Sequence, residues 1–167
     1  MNELLVNAVE LLRRPGTERS ETFETTISSL GIVDARLPDG PVSFRARLEV
    51  LSDGIVVSGE VRARWVGECR RCLSPVGGEV AVPVHELYQV RVSDPEAFPI
   101  EHDQLDLGPM LREALLLDTP SSPLCRADCA GICALCGADR NAAPCACDTS
   151  VRDDRWAALD ALRDDSR

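Results

Sequence analysis

The sequence predicts an α+β fold: an antiparallel β-sheet or barrel-like N-terminal domain, then a helix, then a small Cys-rich lobe with a short C-terminal helix. Three observations carry that expectation. Apolar and polar residues alternate with period two through much of residues 42–92, an apolar stripe at helical spacing runs from Leu107 to Leu115, and six of the eight cysteines crowd between Cys125 and Cys147.

The N-terminal stretch Leu4 to Leu12 is apolar without a clear period and ends at Pro15-Gly16, which suits a strand running into a short helix. Phe23, Thr25 and Ile27 alternate with polar neighbours, the pattern of a half-exposed strand. Val42, Phe44, Ala46, Leu48 and Val50 set one apolar face; after the turn Ser52-Asp53-Gly54, Ile55, Val57, Val61, Ala63 and Trp65 continue it. Together they read as an antiparallel hairpin with one buried face. A third long strand is expected from Glu79 to Val92, in phase from Val80 through Val84 and from Tyr88 to Val92. Glu86 breaks that phase, which points to a bulge or an overhang past the core edge. Leu107, Met110, Leu111, Ala114 and Leu115 make a helical stripe that stops before Pro120. Asp153 or Asp154 caps a last short helix presenting Trp156, Leu159 and Leu162. The expected division is therefore 1–92 as the β domain, 93–104 as an acidic, proline-containing link, and 105–167 as the helix, Cys-rich lobe and C-terminal helix.

The cysteines carry the chemistry. Two thiolates separated by two residues reach one tetrahedral ion without strain, and such pairs build structural zinc sites. Cys133-x-x-Cys136 followed by Cys145-x-Cys147 supplies two pairs, with Gly137 free to take the bend after the first. Leu124, Ile132 and Leu135 are the only sizeable apolar side chains between residues 121 and 150. They cannot offset an ordering cost of roughly 1–2 kcal/mol per residue, whereas a structural zinc contributes on the order of 10 kcal/mol. The lobe is read as a zinc-binding fold element.

A second site would take Cys69, Cys72, Cys125 and Cys129. Two other divisions stay open: Cys69 and Cys72 as unligated thiols closing a strand end, or Cys125, Cys129 and Cys133 competing for one ion. One or two structural Zn²⁺ ions are thus expected. Disulfides fit less well, because Asn7 and Glu10 interrupt the apolar core a secretion signal would need. Clustered cysteines in a reducing cytoplasm act as ligands or catalysts. A redox pair at Cys69 would want a βαβ setting that its flanking strands lack. Catalytic zinc mixes in His or carboxylate and keeps a water, and His85 and His102 lie far from the cluster in sequence. No catalytic residue is expected.

At 167 residues and 44% hydrophobic, the chain can bury one core plus an appendage. Its longest strongly apolar run, Leu115–Leu117, is far too short to span a bilayer. A cytoplasmic location without membrane partners is expected. The formal charge is −10, and Zn²⁺ sites of four thiolates each make it more negative still. Such a surface repels naked nucleic acid over most of its area. All 18 basic residues are arginine. Arg62, Arg64, Arg70 and Arg71 gather near the first cysteine pair, either to neutralise thiolates or to form a small basic patch for ribosomal RNA or an acidic protein groove.

CRRCLSP (Cys69–Pro75), LCRADCAGICALCGADRNAAPCACD (Leu124–Asp148) and the DDRWAALDAL ending resemble, in order and across nearly the whole chain, the YceD family of large ribosomal RNA subunit accumulation proteins. Members commonly read Gly-Leu-Cys-Pro where this chain has Gly131, Ile132, Cys133 and Ala134, and Leu-Asn where it has Arg140 and Asn141; neither departure removes a sulfur. The resemblance implies a non-enzymatic role in ribosome biogenesis, supporting accumulation of large-subunit ribosomal RNA. Partners would be large-subunit ribosomal proteins or assembly factors, with ribosomal RNA itself a further candidate. Two other classes remain: a zinc-ribbon nucleic-acid-binding or transcription-associated protein, and a thiol redox or zinc enzyme.

Overall fold

The computed structural model describes residues 4–148 and Arg155. The C-terminal helix expected around Trp156, Leu159 and Leu162 lies outside the described residues.

The chain opens with β1 (Leu5–Asn7) running into α1 (Ala8–Leu12), whose first turn is capped by the Asn7 side chain accepting from the Val9 N–H at 2.9 Å. Four longer strands follow: β2 (Glu18–Thr26), β3 (Pro41–Val50), β4 (Gly54–Glu68) and β5 (Pro75–Gln89). Two short strands, β6 (Phe98–Pro99) and β7 (Gln104–Asp106), lead to α2 (Gly108–Asp118).

The main sheet is ordered β2-β3-β4-β5-β6, antiparallel throughout except for the parallel β5–β6 pair. Its edges, β2 and β6, do not meet, so the sheet is open and the barrel alternative is set aside. β1 and β7 form a separate antiparallel pair that ties the N-terminus to residues 104–106.

Period-two alternation decides which face is buried. Val42, Phe44, Ala46, Leu48 and Val50 are all buried on β3, as are Ile55, Val57, Val61 and Ala63 on β4 and Val82, Val84 and Tyr88 on β5. Met110, Leu111 and Leu115 of α2 close over that face. Each such side chain contributes about 1.5–3 kcal/mol on burial. The helix starts where the Asp106 carboxylate accepts the Gly108 N–H at 2.9 Å, and ends where the buried Thr119 hydroxyl donates to Leu115 O at 2.6 Å. Arg36, paired with Asp34, donates to Thr119 O at 2.9 Å and fixes that end to the β2–β3 loop.

Three expectations about the third strand need correction. It begins four residues earlier than expected, because Pro75–Gly78 pair with Trp65–Glu68 in one continuous register. It stops at Gln89, whose side chain accepts from the Ser93 and Asp94 N–H groups at 3.0 and 3.3 Å and turns the chain, leaving Val90 and Val92 exposed. Glu86 marks no bulge: it pairs with Val57 in register and shares the inner face with Val84 and Tyr88. Within residues 93–104, Phe98 stacks on Tyr88 at 5.3 Å and Ile100 is buried.

β4 and β5 are 15 residues each, roughly 50 Å long at about 3.3 Å per residue. Burial fades beyond Ala63, so their paired ends project past the core. The connection at that tip is Cys69–Ser74.

Candidate metal centres

The tip of the β4–β5 hairpin is a tight turn around sulfur. Cys69 N–H donates to Ser74 O at 2.8 Å, and Leu73 N–H donates to Cys69 O at 2.9 Å. Leu73 takes φ 60°, a left-handed conformation that closes the turn. The lobe repeats the construction: Cys133 N–H donates to Ala138 O at 2.8 Å, Gly137 N–H donates to Cys133 O at 2.8 Å, and Gly137 has φ 72°. In both turns the two cysteines of a Cys-x-x-Cys project to one side.

The structure brings the eight sulfurs into two groups. Cys69, Cys72, Cys125 and Cys129 form one, and Cys133, Cys136, Cys145 and Cys147 the other; within each group all four sulfurs lie within 4.8 Å of one another. Cys69 Sγ is 3.8 Å from Cys129 Sγ, and Cys72 Sγ is 3.6 Å from Cys125 Sγ. Four sulfurs at about 2.3 Å from a tetrahedral ion stand about 3.8 Å apart. No disulfide joins any of them, and the spacing fits a shared cation. Either group could hold a metal ion. Neither group includes a histidine or a carboxylate.

The first group joins two parts of the chain. Cys69 and Cys72 come from the hairpin tip, Cys125 and Cys129 from the segment after α2. Backbone bonds reinforce the junction: Arg70 N–H donates to Pro123 O at 2.9 Å and Ile132 N–H to Arg71 O at 2.9 Å. Gly131, with φ 73°, fits there because a Cβ would sit 2.8 Å from Arg71 O. The second group is internal to the lobe.

Electrostatics within each group is uneven. Burial pushes the Cys69 thiol up, but backbone N–H groups of Cys125, Arg71 and Cys72 outweigh it and bring the value down to about 6. The backbone N–H groups of Cys136 and Leu135, with the Cys145 side chain, lower Cys133 to about 6. The Cys129 side chain, then burial and Cys72, raise Cys125 to about 12; Cys136 and Cys133 do the same to Cys147. The Ser74 side chain lowers Cys72 as well, so each group sets at least one readily ionised sulfur beside one that resists, the behaviour of crowded thiolates that need a cation to ionise together.

The four arginines of the expected basic patch part company. Arg62 lies between Glu60 and Glu79, 2.7 Å from each. Arg71 is exposed but committed to the lobe, donating to Cys129 O at 2.8 Å and Ala127 O at 3.4 Å. Arg64 and Arg70 are exposed. Sequence reasoning gave Asn141 no role, yet its amide organises the lobe. It donates to Asp139 at 2.8 Å and to Cys129 Sγ at 3.5 Å, and accepts from Ala130 N–H and Arg126, both at 2.8 Å. Its place in the loop between Cys136 and Cys145, and the asparagine that family members share at this position, are signals that could have marked it.

The family model described as large ribosomal RNA subunit accumulation protein YceD matches residues 57–163. An uncharacterized protein of Mycobacterium tuberculosis (strain ATCC 25618 / H37Rv) is 34% identical over 166 residues, covering 93% of this chain and 79% of its own. A second, of Mycobacterium leprae, is 29% identical over 148 residues, covering 82% and 67%. No solved structure matches.

Proposed function

Because this chain belongs to the YceD family of large ribosomal RNA subunit accumulation proteins, we propose that it is a non-enzymatic ribosome biogenesis factor supporting accumulation of large-subunit ribosomal RNA, held in shape by two structural Zn²⁺ ions. Cys69, Cys72, Cys125 and Cys129 would hold one ion, and Cys133, Cys136, Cys145 and Cys147 the other. The observation that carries this reading is the all-sulfur composition of both groups. Four thiolates saturate a tetrahedral ion and leave no position for water or substrate, so zinc bound there would supply rigidity.

The working division of the chain follows from it: a β domain through residue 92, the acidic segment 93–104, and a helix and metal lobe from 105 onward. The first sulfur group would fasten the third part to the first. In a protein this acidic, at formal charge −10, contacts with basic ribosomal proteins or assembly factors in the cytoplasm are favoured over wrapping RNA. Arg64 and Arg70 are the two patch arginines still available for a phosphate.

Depleting the protein in its parent cell and quantifying large- against small-subunit ribosomal RNA tests the reading. The large-subunit RNA is expected to fall relative to the small. An unchanged ratio would remove the family-level function and leave a metal-stabilised β protein.

A further inference from the structure

β5, α2 and the segment before β6 enclose a groove of about 600 Å³. Its floor is apolar, formed by Val84, Phe98, Met110 and Ala114, and Leu117 stands at its mouth with 77% of its surface exposed. Its rim is acidic: Glu86, Glu96, Glu113 and Asp118 all line it, and no basic residue does. Among the described residues, none of the seven ion pairs reaches any of these four carboxylates. Arg112, the one arginine on α2, is turned away to the carbonyl of Gly31 at 2.6 Å. Burial, then Glu113, raise the Glu86 carboxyl above its ordinary value against a smaller opposing pull from His85, so the fold keeps like charges together at a cost that an incoming cation would relieve.

We infer that this groove docks a basic peptide segment of a partner protein, with an aliphatic side chain seated between Phe98 and Leu117 and arginine or lysine side chains meeting Glu86, Glu96, Glu113 and Asp118. Apolar floor and acidic rim together select that chemistry: an acidic peptide or a nucleic-acid phosphate is repelled, and a purely polar cation leaves the floor unfilled. The inference rests on the reading of the chain as a protein-contacting assembly factor and names the partner class for that reading.

The test uses the full-length, zinc-loaded protein against an array of 15-residue synthetic peptides spanning the large-subunit ribosomal proteins, with copies in which Arg and Lys are replaced by Glu. Affinities of the best binders are then measured by fluorescence anisotropy. The tightest peptides should combine several cations with an aliphatic residue. They should weaken at least tenfold with Glu113→Arg and with Leu117→Glu, and the salt dependence should shrink with the first. Both positions are exposed, so the variants should fold, and urea unfolding against the parent protein checks this. The milder Glu113→Gln should give an intermediate loss.

Absence of any peptide tighter than about 0.1 mM, or tight binders indifferent to both variants, overturns the groove. Weakening by Glu113→Arg alone reduces the effect to surface charge and overturns it as well. In cells the two ideas separate: a Leu117→Glu protein that still supports a normal RNA ratio removes the groove and leaves the biogenesis role standing. An unchanged ratio on full depletion removes the biogenesis role whatever the peptides do.

Discussion

Leu73 and Gly137 occupy the same position in two turns of the same construction. Each follows the second cysteine of a Cys-x-x-Cys, each donates its N–H to the carbonyl of the first, and each has a left-handed backbone, at φ 60° and 72°. Glycine takes that conformation freely; leucine does so at a cost of roughly 1–2 kcal/mol. Leu73 is also more than half exposed, so little burial compensates it.

Leu73→Gly should therefore stabilise the metal-loaded protein by about 0.5–1 kcal/mol, after the added chain entropy of glycine is subtracted. Gly137→Ala should cost about 1 kcal/mol, all of it backbone, because nothing lies within 4 Å of the added carbon. Gly131→Ala should cost more, since its Cβ meets Arg71 O at 2.8 Å. Urea unfolding at fixed excess zinc ranks the three; the order fails if Gly137→Ala is the most damaging.

The two sulfur groups should respond differently to loss of one ligand. Cys72→Ser and Cys145→Ser should each lower the metal content by one ion per chain, read by elemental analysis. A structural site is worth on the order of 10 kcal/mol, so the local effect is large in both. Cys72→Ser cuts the junction between hairpin tip and lobe, and hydrogen exchange should accelerate at Arg70, Arg71 and Ile132. Cys145→Ser should leave those amides protected and expose only residues 133–147. Equal deprotection at the hairpin tip in both variants would contradict the division of ligands.

The outer shell is expected to tune the first group through Asn141. Its side chain makes hydrogen bonds to Cys129, Asp139, Ala130 and Arg126. Asn141→Ala hands the exposed Ala130 N–H to water, so that bond costs only about 0.5–1.5 kcal/mol. Partners of metal ligands typically contribute 10–100-fold in affinity. A chelator competition should release one ion per chain at least tenfold more readily from the variant, with the other ion unaffected.

Much of this arrangement is legible in the sequence, for reasons that differ by element. The β3–β4 hairpin was readable because one face is buried and the other wet, so each of Val42 to Val50 at even positions reports its own orientation. The start of β5 was not, because Gly77 and Gly78 carry no side chain to show an alternating pattern and their pairing with Val66 and Trp65 comes from the length of β4. Cysteine spacing indicated the group of Cys133, Cys136, Cys145 and Cys147 but left the other as one of three divisions, because Cys69 and Cys125 are 56 positions apart and spacing carries no information across that gap. The roles of Arg62 and Arg71 were likewise hidden. A charge in the sequence does not say whether its partner is Glu79 across a strand, a carbonyl of the lobe, or a ligand from outside.

The same limit explains Glu86, which breaks an apolar phase and sits on the inner face all the same. Burial first, then the neighbouring Glu113, raise its carboxyl above the ordinary value near 4.5. The folded chain therefore binds this proton more tightly than the unfolded chain does. Its contribution to stability is fully present below the unfolded value and is lost as pH rises through the folded one. At pH 7 the ionised carboxylate is a burden, so Glu86→Gln should make the protein more stable there. The advantage should narrow as the pH falls and vanish below about pH 4, where both states of the parent are protonated. Urea midpoints of parent and variant, compared at matched salt across that range with the metal content monitored, measure the difference; an advantage that grows on acidification would reverse the assignment. If a basic peptide occupies the groove, the ionised form gains a partner, and the same substitution should then weaken peptide binding while still stabilising the free protein.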